Sequence, residues 1–154
     1  MRRKTITRAV ALKFLADPFA VDLDSYGAIE AAAAELLAKC PFALELAGLK
    51  ELPDAAATAL GKRMAGDLDL SGLKALSVGA AKALAGTEGI LMLAGLETIS
   101  DEVAEALSRH EGILNLSGLT TLSRTAAKSL AKVGELVVGP GVDAAIAQAR
   151  TANG

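Results

Sequence analysis

The chain has 154 residues, 52% of them hydrophobic and 22% charged, with a formal net charge of -2 at pH 7. A chain of this length makes one domain that buries about two-thirds of its unfolded surface, and the composition excludes a disordered chain. The near-neutral balance gives no global pull toward nucleic acid or anionic lipid. The single Cys excludes an internal disulfide, and no apolar run approaches the roughly 18 residues of a membrane helix.

The basic start, Met1-Arg2-Arg3-Lys4, resembles the head of a secretory signal. Arg8 and Lys13 interrupt the stretch that should then be apolar, and no cleavage site follows, so the expected location is cytoplasmic. An amphipathic helix is predicted instead. Thr7 caps it, Val10, Ala11, Phe14 and Leu15 form its apolar stripe, and Asp17-Pro18 ends it. Residues 1–20 thus read as an N-terminal capping helix. Arg2, Arg3, Lys4 and Arg8 have no aromatic neighbours to stack on bases, so they read as a frayed tail, not a nucleic-acid grip.

Beyond residue 20 one period organises the chain. Leu-x-Leu pairs start at Leu44, Leu68, Leu91 and Leu114, separated by 24, 23 and 23 residues. Gly48, Gly72, Gly95 and Gly118 fall in register behind them, followed by Leu49, Leu73, Leu96 and Leu119 and then by Leu52, Leu76, Ile99 and Leu122. Ala57, Ala81, Ala104 and Ala127 align three residues before Leu60, Leu84, Leu107 and Leu130. Each pair predicts a short strand with both leucines inward. The glycine predicts a tight turn, with positive φ expected at Gly95 and Gly118. Ser77, Ser100 and Ser123 then cap a helix of two to three turns whose Ala and Leu face the strand, with Pro53-Asp54 replacing the serine in its unit.

A degenerate unit precedes these, with Val21 and Leu23 as its strand, Ser25 for the glycine and Tyr26 for the following leucine. Residues 21–135 therefore hold about five 23-residue units. Leu136-Val137-Val138 opens a last strand one residue early, and Gly139-Pro140-Gly141 leads into a helix over Asp143 to Arg150, so residues 136–154 read as a C-terminal cap and tail. Phe14, Phe19, Tyr26 and Phe42, all the aromatics, lie at the N-terminal end, where they are expected to cover the open core of the first unit.

The pattern Leu-x-Leu-x-Gly-Leu-x-x-Leu-Ser-x-x-x-Ala-x-x-Leu resembles a leucine-rich repeat. Its 23-residue spacing is similar to the short bacterial class called the treponemal type and to alanine-rich versions in planctomycete-like bacteria. There too a segment like Phe14-Leu15-Ala16-Asp17-Pro18 followed by Val21-Asp22-Leu23 precedes the repeats. The resemblance covers roughly residues 5 to 138 and departs from the standard pattern in lacking its asparagine ladder. It implies an α/β solenoid of parallel short strands with helices on the outer face, used mainly for protein recognition.

Catalytic and cofactor motifs do not assemble. Gly139-Pro140-Gly141-Val142-Asp143-Ala144 has the spacing of a phosphate-binding turn, but no second strand and distant acid follow, so a turn into a capping helix is expected. Gly61-Lys62-Arg63 lacks the first glycine of a P-loop, since position 56 is Ala56, and has Arg63 where Ser or Thr would meet magnesium. His110, the only histidine, is expected at a helix end, where the dipole favours its charge. With one Cys there is no zinc set, and a hydrolytic site around His110 is the weakest of the readings. Cys40 reads as a buried structural thiol.

The outward strand positions carry more information. They are Asp22, Glu45, Asp69, Met92 and Asn115, flanked by Asp24, Ala47, Ser71, Ala94 and Ser117. Neighbouring positions in a parallel ladder lie about 4.8 Å apart, so Asp22, Glu45 and Asp69 would form a ladder of like charges. One reading is a solvated face; the other is a site for a basic peptide, a lysine-rich surface or calcium. The outward helix positions Glu35, Thr58, Lys82, Glu105 and Lys128 alternate in sign and suit side-by-side helices. The expectation is a non-enzymatic interaction or scaffold module with no cofactor and no nucleic-acid or membrane partner. It would bind a protein, basic where it meets the carboxylates, through Asp22, Glu45, Asp69, Met92 and Asn115, or serve as one component of a larger assembly. The alternative is a structural, self-assembling element.

Overall fold

Each Leu-x-Leu pair forms one step of a parallel ladder. In the computed structural model, which describes residues 3–63 and 66–153, strands β3 (Leu44–Glu45), β4 (Leu68–Asp69), β5 (Leu91–Met92), β6 (Ile113–Leu116) and β7 (Glu135–Val138) make a five-stranded sheet in sequential order. Leu44, Leu68, Leu91, Leu114 and Leu136 are paired across it, as are Glu45, Asp69, Met92, Asn115 and Val137. The leucines at 44, 46, 68, 70, 91, 93, 114 and 116 are all 1% exposed or less. The protein is α/β, with a helix in every crossover. These are α3 (Asp54–Leu60), α4 (Val78–Leu84), α5 (Asp101–Leu107) and α6 (Arg124–Leu130), each packed on the next.

Seven-residue helices are too short to persist alone, so their caps and their apolar face hold them. Ser77, Ser100 and Ser123 cap as expected, accepting from the backbone N–H of Ala80, Val103 and Ala126. Two of these serines also tie neighbouring units together. Ser77 Oγ donates to Asp54 Oδ1 at 2.5 Å, and Ser123 Oγ donates to Asp101 Oδ1. Ala57, Ala81, Ala104 and Ala127 are buried with Leu60, Leu84, Leu107 and Leu130 behind them, while Glu35, Thr58, Lys82, Glu105 and Lys128 are exposed.

The glycines hold their places for a reason other than the expected one. Among the described residues only Gly66 (φ 79) and Gly89 (φ 82) have positive φ, both in the turns that lead into strands. Gly48, Gly72, Gly95 and Gly118 have ordinary backbone angles. A Cβ on any of them would collide with a carbonyl oxygen of the preceding unit, that of Asp24, Ala47, Ser71 and Ala94 in turn. Close approach of backbone to backbone excludes the side chain.

The N-terminal end differs from expectation twice. The strand expected at Val21–Leu23 is instead a 3₁₀ turn over Leu23–Ser25. Asp22 accepts the Asp24 N–H at 3.1 Å, and the Asp24 carboxylate takes the Ala47 N–H at 2.7 Å, so side chains replace the ladder here. The N-terminal helix, conversely, is a full member of the periodic array. Strand β1 (Thr5–Ile6) pairs in parallel with β2 (Ala28–Ile29), and helices α1 (Arg8–Ala16) and α2 (Ala31–Leu37) pack together. Ile6, Ala11 and Phe14 thus stand 23 residues before Ile29, Ala34 and Leu37, and all six are buried. Thr7 caps α1 as expected. Nor is the basic segment a frayed tail from residue 3 onward: Arg3 pairs with Glu51 at 2.9 Å and the Lys4 carbonyl accepts from Gly27 and Ala28. Arg2 lies outside the described residues.

At the other end Pro140 opens helix α7 (Pro140–Asn153), longer than expected, and Val142, Ile146 and Ala149 close the core. Among the described residues no helix is long and apolar enough to cross a membrane.

Candidate functional site

The open face of the sheet carries Glu45, Asp69, Met92, Asn115 and Val137 in one row, because alternation turns the leucines to the core. Glu45 and Val137 are exposed; Asp69, Met92 and Asn115 are half-buried. Asp69 and Asn115 fold back on their own turns, accepting the N–H of Ser71 at 2.9 Å and of Ser117 at 3.0 Å. Asp22 does the same in its unit but lies outside the sheet. The expected three-carboxylate ladder is therefore a Glu45–Asp69 pair with Asp22 beside it. Among the described residues no cation is paired with any of the three, and no three His, Cys, Asp or Glu side chains are placed to hold a metal ion.

Asp22 and Glu45 instead border a cavity of about 520 Å³ at the N-terminal end of this face. All three phenylalanines of the chain line it. Phe14, from α1, is its buried floor. Phe42 is 46% exposed, with its ring centroid 6.4 Å from that of Phe14 and the planes tilted by 57°. Phe19 is fully exposed. The aromatics were expected to cover core, and only Phe14 does so fully. Phe19 is held out by a 3₁₀ turn, Pro18–Ala20, in which Asp17 Oδ1 accepts the Phe19 N–H at 3.1 Å.

Phe42 is held by a residue whose role the sequence did not disclose. Arg63 is 1% exposed, and its guanidinium donates to the carbonyls of Leu37 and Cys40, each at 3.3 Å, and of Phe42 at 2.8 Å. It closes the C-terminal end of α2 and fixes the segment that leads to the cavity. Burial pushes its pKa below the usual arginine range, and Cys40 and Asp67 oppose that shift. The signal that could have found it is positional. Cys40, Arg63, Thr87, His110 and Val133 recur at 23 or 24 residues, each three residues past the leucine that ends a helix, and all are buried.

His110 belongs to this column, at the C-terminal end of α5 as expected, and is 3% exposed. Its Nε2 lies 3.1 Å from the Gly89 carbonyl oxygen, a bond that needs the proton on Nε2, and Nδ1 has no hydrogen-bond partner among the described residues. Among the described residues neither ring nitrogen is hydrogen-bonded to a serine or an acid. Cys40 is a buried free thiol, as expected. Gly139-Pro140-Gly141 turns into α7, the helix expected there. No protein-family model, curated protein or solved structure matches this chain.

Proposed function

We propose that the chain is a leucine-rich-repeat solenoid that acts as a non-enzymatic recognition module, binding a protein partner along its open sheet face. The 23-residue period, the sequential parallel ladder and the helices packed neighbour on neighbour support the repeat class. The observation that carries the recognition reading is the continuous face from the Phe-lined cavity through Glu45, Asp69, Met92 and Asn115. It joins an apolar recess to polar positions at regular spacing, the combination an extended protein segment can follow.

Photo-crosslinking tests it directly. A photoreactive residue placed at Met92 or at Asn115 is expected to capture a partner from a lysate of the native source, while the same residue at Thr58 or Glu105 on the helical side is not. Adducts formed only from the helical positions overturn the reading.

A second reading, self-assembly, is favoured by β7. Among the described residues it pairs with β6 alone, as the edge strand of the sheet, and Val137 is exposed on it. Sedimentation over a concentration range separates the two, since a recognition module stays monomeric without its partner.

A further inference from the structure

We propose that the cavity bounded by Phe14, Phe19 and Phe42 is a receptacle for a cationic side chain, lysine or arginine, of an extended partner segment; the proposal rests on the recognition reading and specifies its anchor. The rings of Phe14 and Phe42 meet at the recess and Phe19 borders it, and the face of each ring carries the negative part of its quadrupole. Two carboxylates, Asp22 and Glu45, stand at the same recess. Glu45 is exposed and its carboxylate bonds to nothing among the described residues, while Asp22 keeps one oxygen outside its turn. Among the described residues no Lys, Arg or His lines the cavity, and its two charged lining residues are both acidic.

The shape fits the chemistry. Lysine and arginine carry an apolar stem and a charged head, and the cavity offers apolar wall below and acid at the rim. A neutral aliphatic residue would leave the carboxylates unanswered, and an acidic one would be repelled. Phe19 is the part that closes on the stem: it touches solvent on all sides, and covering it removes apolar surface from water. The recess opens onto the row that continues through Asp69 and Met92, so a segment anchored here runs on along the sheet.

The test uses the full chain and two fluorescein-labelled peptides, one with a single lysine between two leucines in a glycine-serine background, the other with norleucine for the lysine. Fluorescence anisotropy should show the lysine peptide binding about fivefold tighter or better. Phe19→Ala and Glu45→Gln, both at exposed positions, should each weaken the lysine peptide about two- to fivefold with circular dichroism unchanged, while Glu102→Gln on α5 should not. Equal affinity for the two peptides overturns the proposal, as does equal loss from the remote Glu102→Gln. Self-association that Phe19→Ala abolishes, without lysine binding, also overturns it, because the occupant is then a second copy. A partner still captured at Asn115 with native affinity in the Phe19→Ala chain removes the cavity and leaves the recognition face standing. Lysine-selective binding without any sheet-face capture keeps the cavity and removes the wider face.

Discussion

A Cβ on Gly95 would collide with the Ser71 carbonyl oxygen of the preceding unit and stand 2.6 Å from that of Leu73. Both obstacles are backbone, which a flexible side chain cannot relieve. Gly95→Ala should therefore cost about 1–3 kcal/mol, the range for forcing extra volume into a packed interior. Gly134 is the control: it meets nothing within 4 Å and its φ is not positive, so Gly134→Ala should stabilise by about 0.4–1 kcal/mol. Urea midpoints at constant m-value measure both. A Gly95→Ala chain as stable as the parent would mean that the units are not in backbone contact there.

Ala104 and Glu105 are adjacent on α5 and opposite in environment, the first fully buried, the second exposed. Ala104→Leu should destabilise by about 1–3 kcal/mol through overpacking, and Glu105→Ala should stay within about 0.5 kcal/mol. Thermal or urea unfolding that gave equal effects would reverse the assigned inward face.

Arg63→Met removes donors to three carbonyls, those of Leu37, Cys40 and Phe42. The expected loss is about 2–4 kcal/mol, since buried acceptors are left without partners. Arg63→Lys should recover little of it, because one ammonium cannot reproduce the planar fork. Limited proteolysis should open first between Cys40 and Ala43 in the Met variant. Cleavage elsewhere, with that segment protected, would contradict the bracing role.

Replacing Asp22, Glu45 and Asp69 together by Asn, Gln and Asn should leave the fold intact. Asn115 already makes, with an amide oxygen, the turn contact that Asp22 and Asp69 make with carboxylates. Stability should be unchanged or slightly raised by the relief of like charge. Binding of the partner captured at the sheet face should weaken chiefly at low salt, and mainly through the association rate. Stopped-flow association at two ionic strengths reads this out; a salt-independent, unchanged rate would assign the carboxylates to solvent.

The repeated part of the chain was legible because its period coincides with a local physical demand at each step: leucine alternation for strands at 44, 68, 91 and 114, and serine caps at 77, 100 and 123. Legibility failed where the demand comes from a neighbour. Val21–Leu23 carries strand-like alternation, but there the Asp22 and Asp24 side chains take the backbone N–H groups of Asp24 and Ala47 in place of a ladder. Ile6 lies one period before Ile29, yet no Leu-x-Leu pair precedes it to mark a unit. The glycine column was visible, but whether it answers a turn or a collision depends on coordinates. Phe14, Phe19 and Phe42 are spread over 28 positions, and nothing in their spacing announces a shared cavity.

The buried column of Cys40, Arg63, Thr87, His110 and Val133 places five different chemistries at one position of otherwise similar units. The leucines would accept a neighbour displaced by a whole period almost as readily as the right one, since they are nearly identical from unit to unit. Arg63 would not: it needs the carbonyls of Leu37, Cys40 and Phe42, and His110 needs that of Gly89. Exchange two units, delete one, or swap segments between chains, and a charged or polar group is sealed inside without its acceptors. The column acts as a lock-out code, giving each unit an address within an array whose hydrophobic core cannot tell one unit from the next.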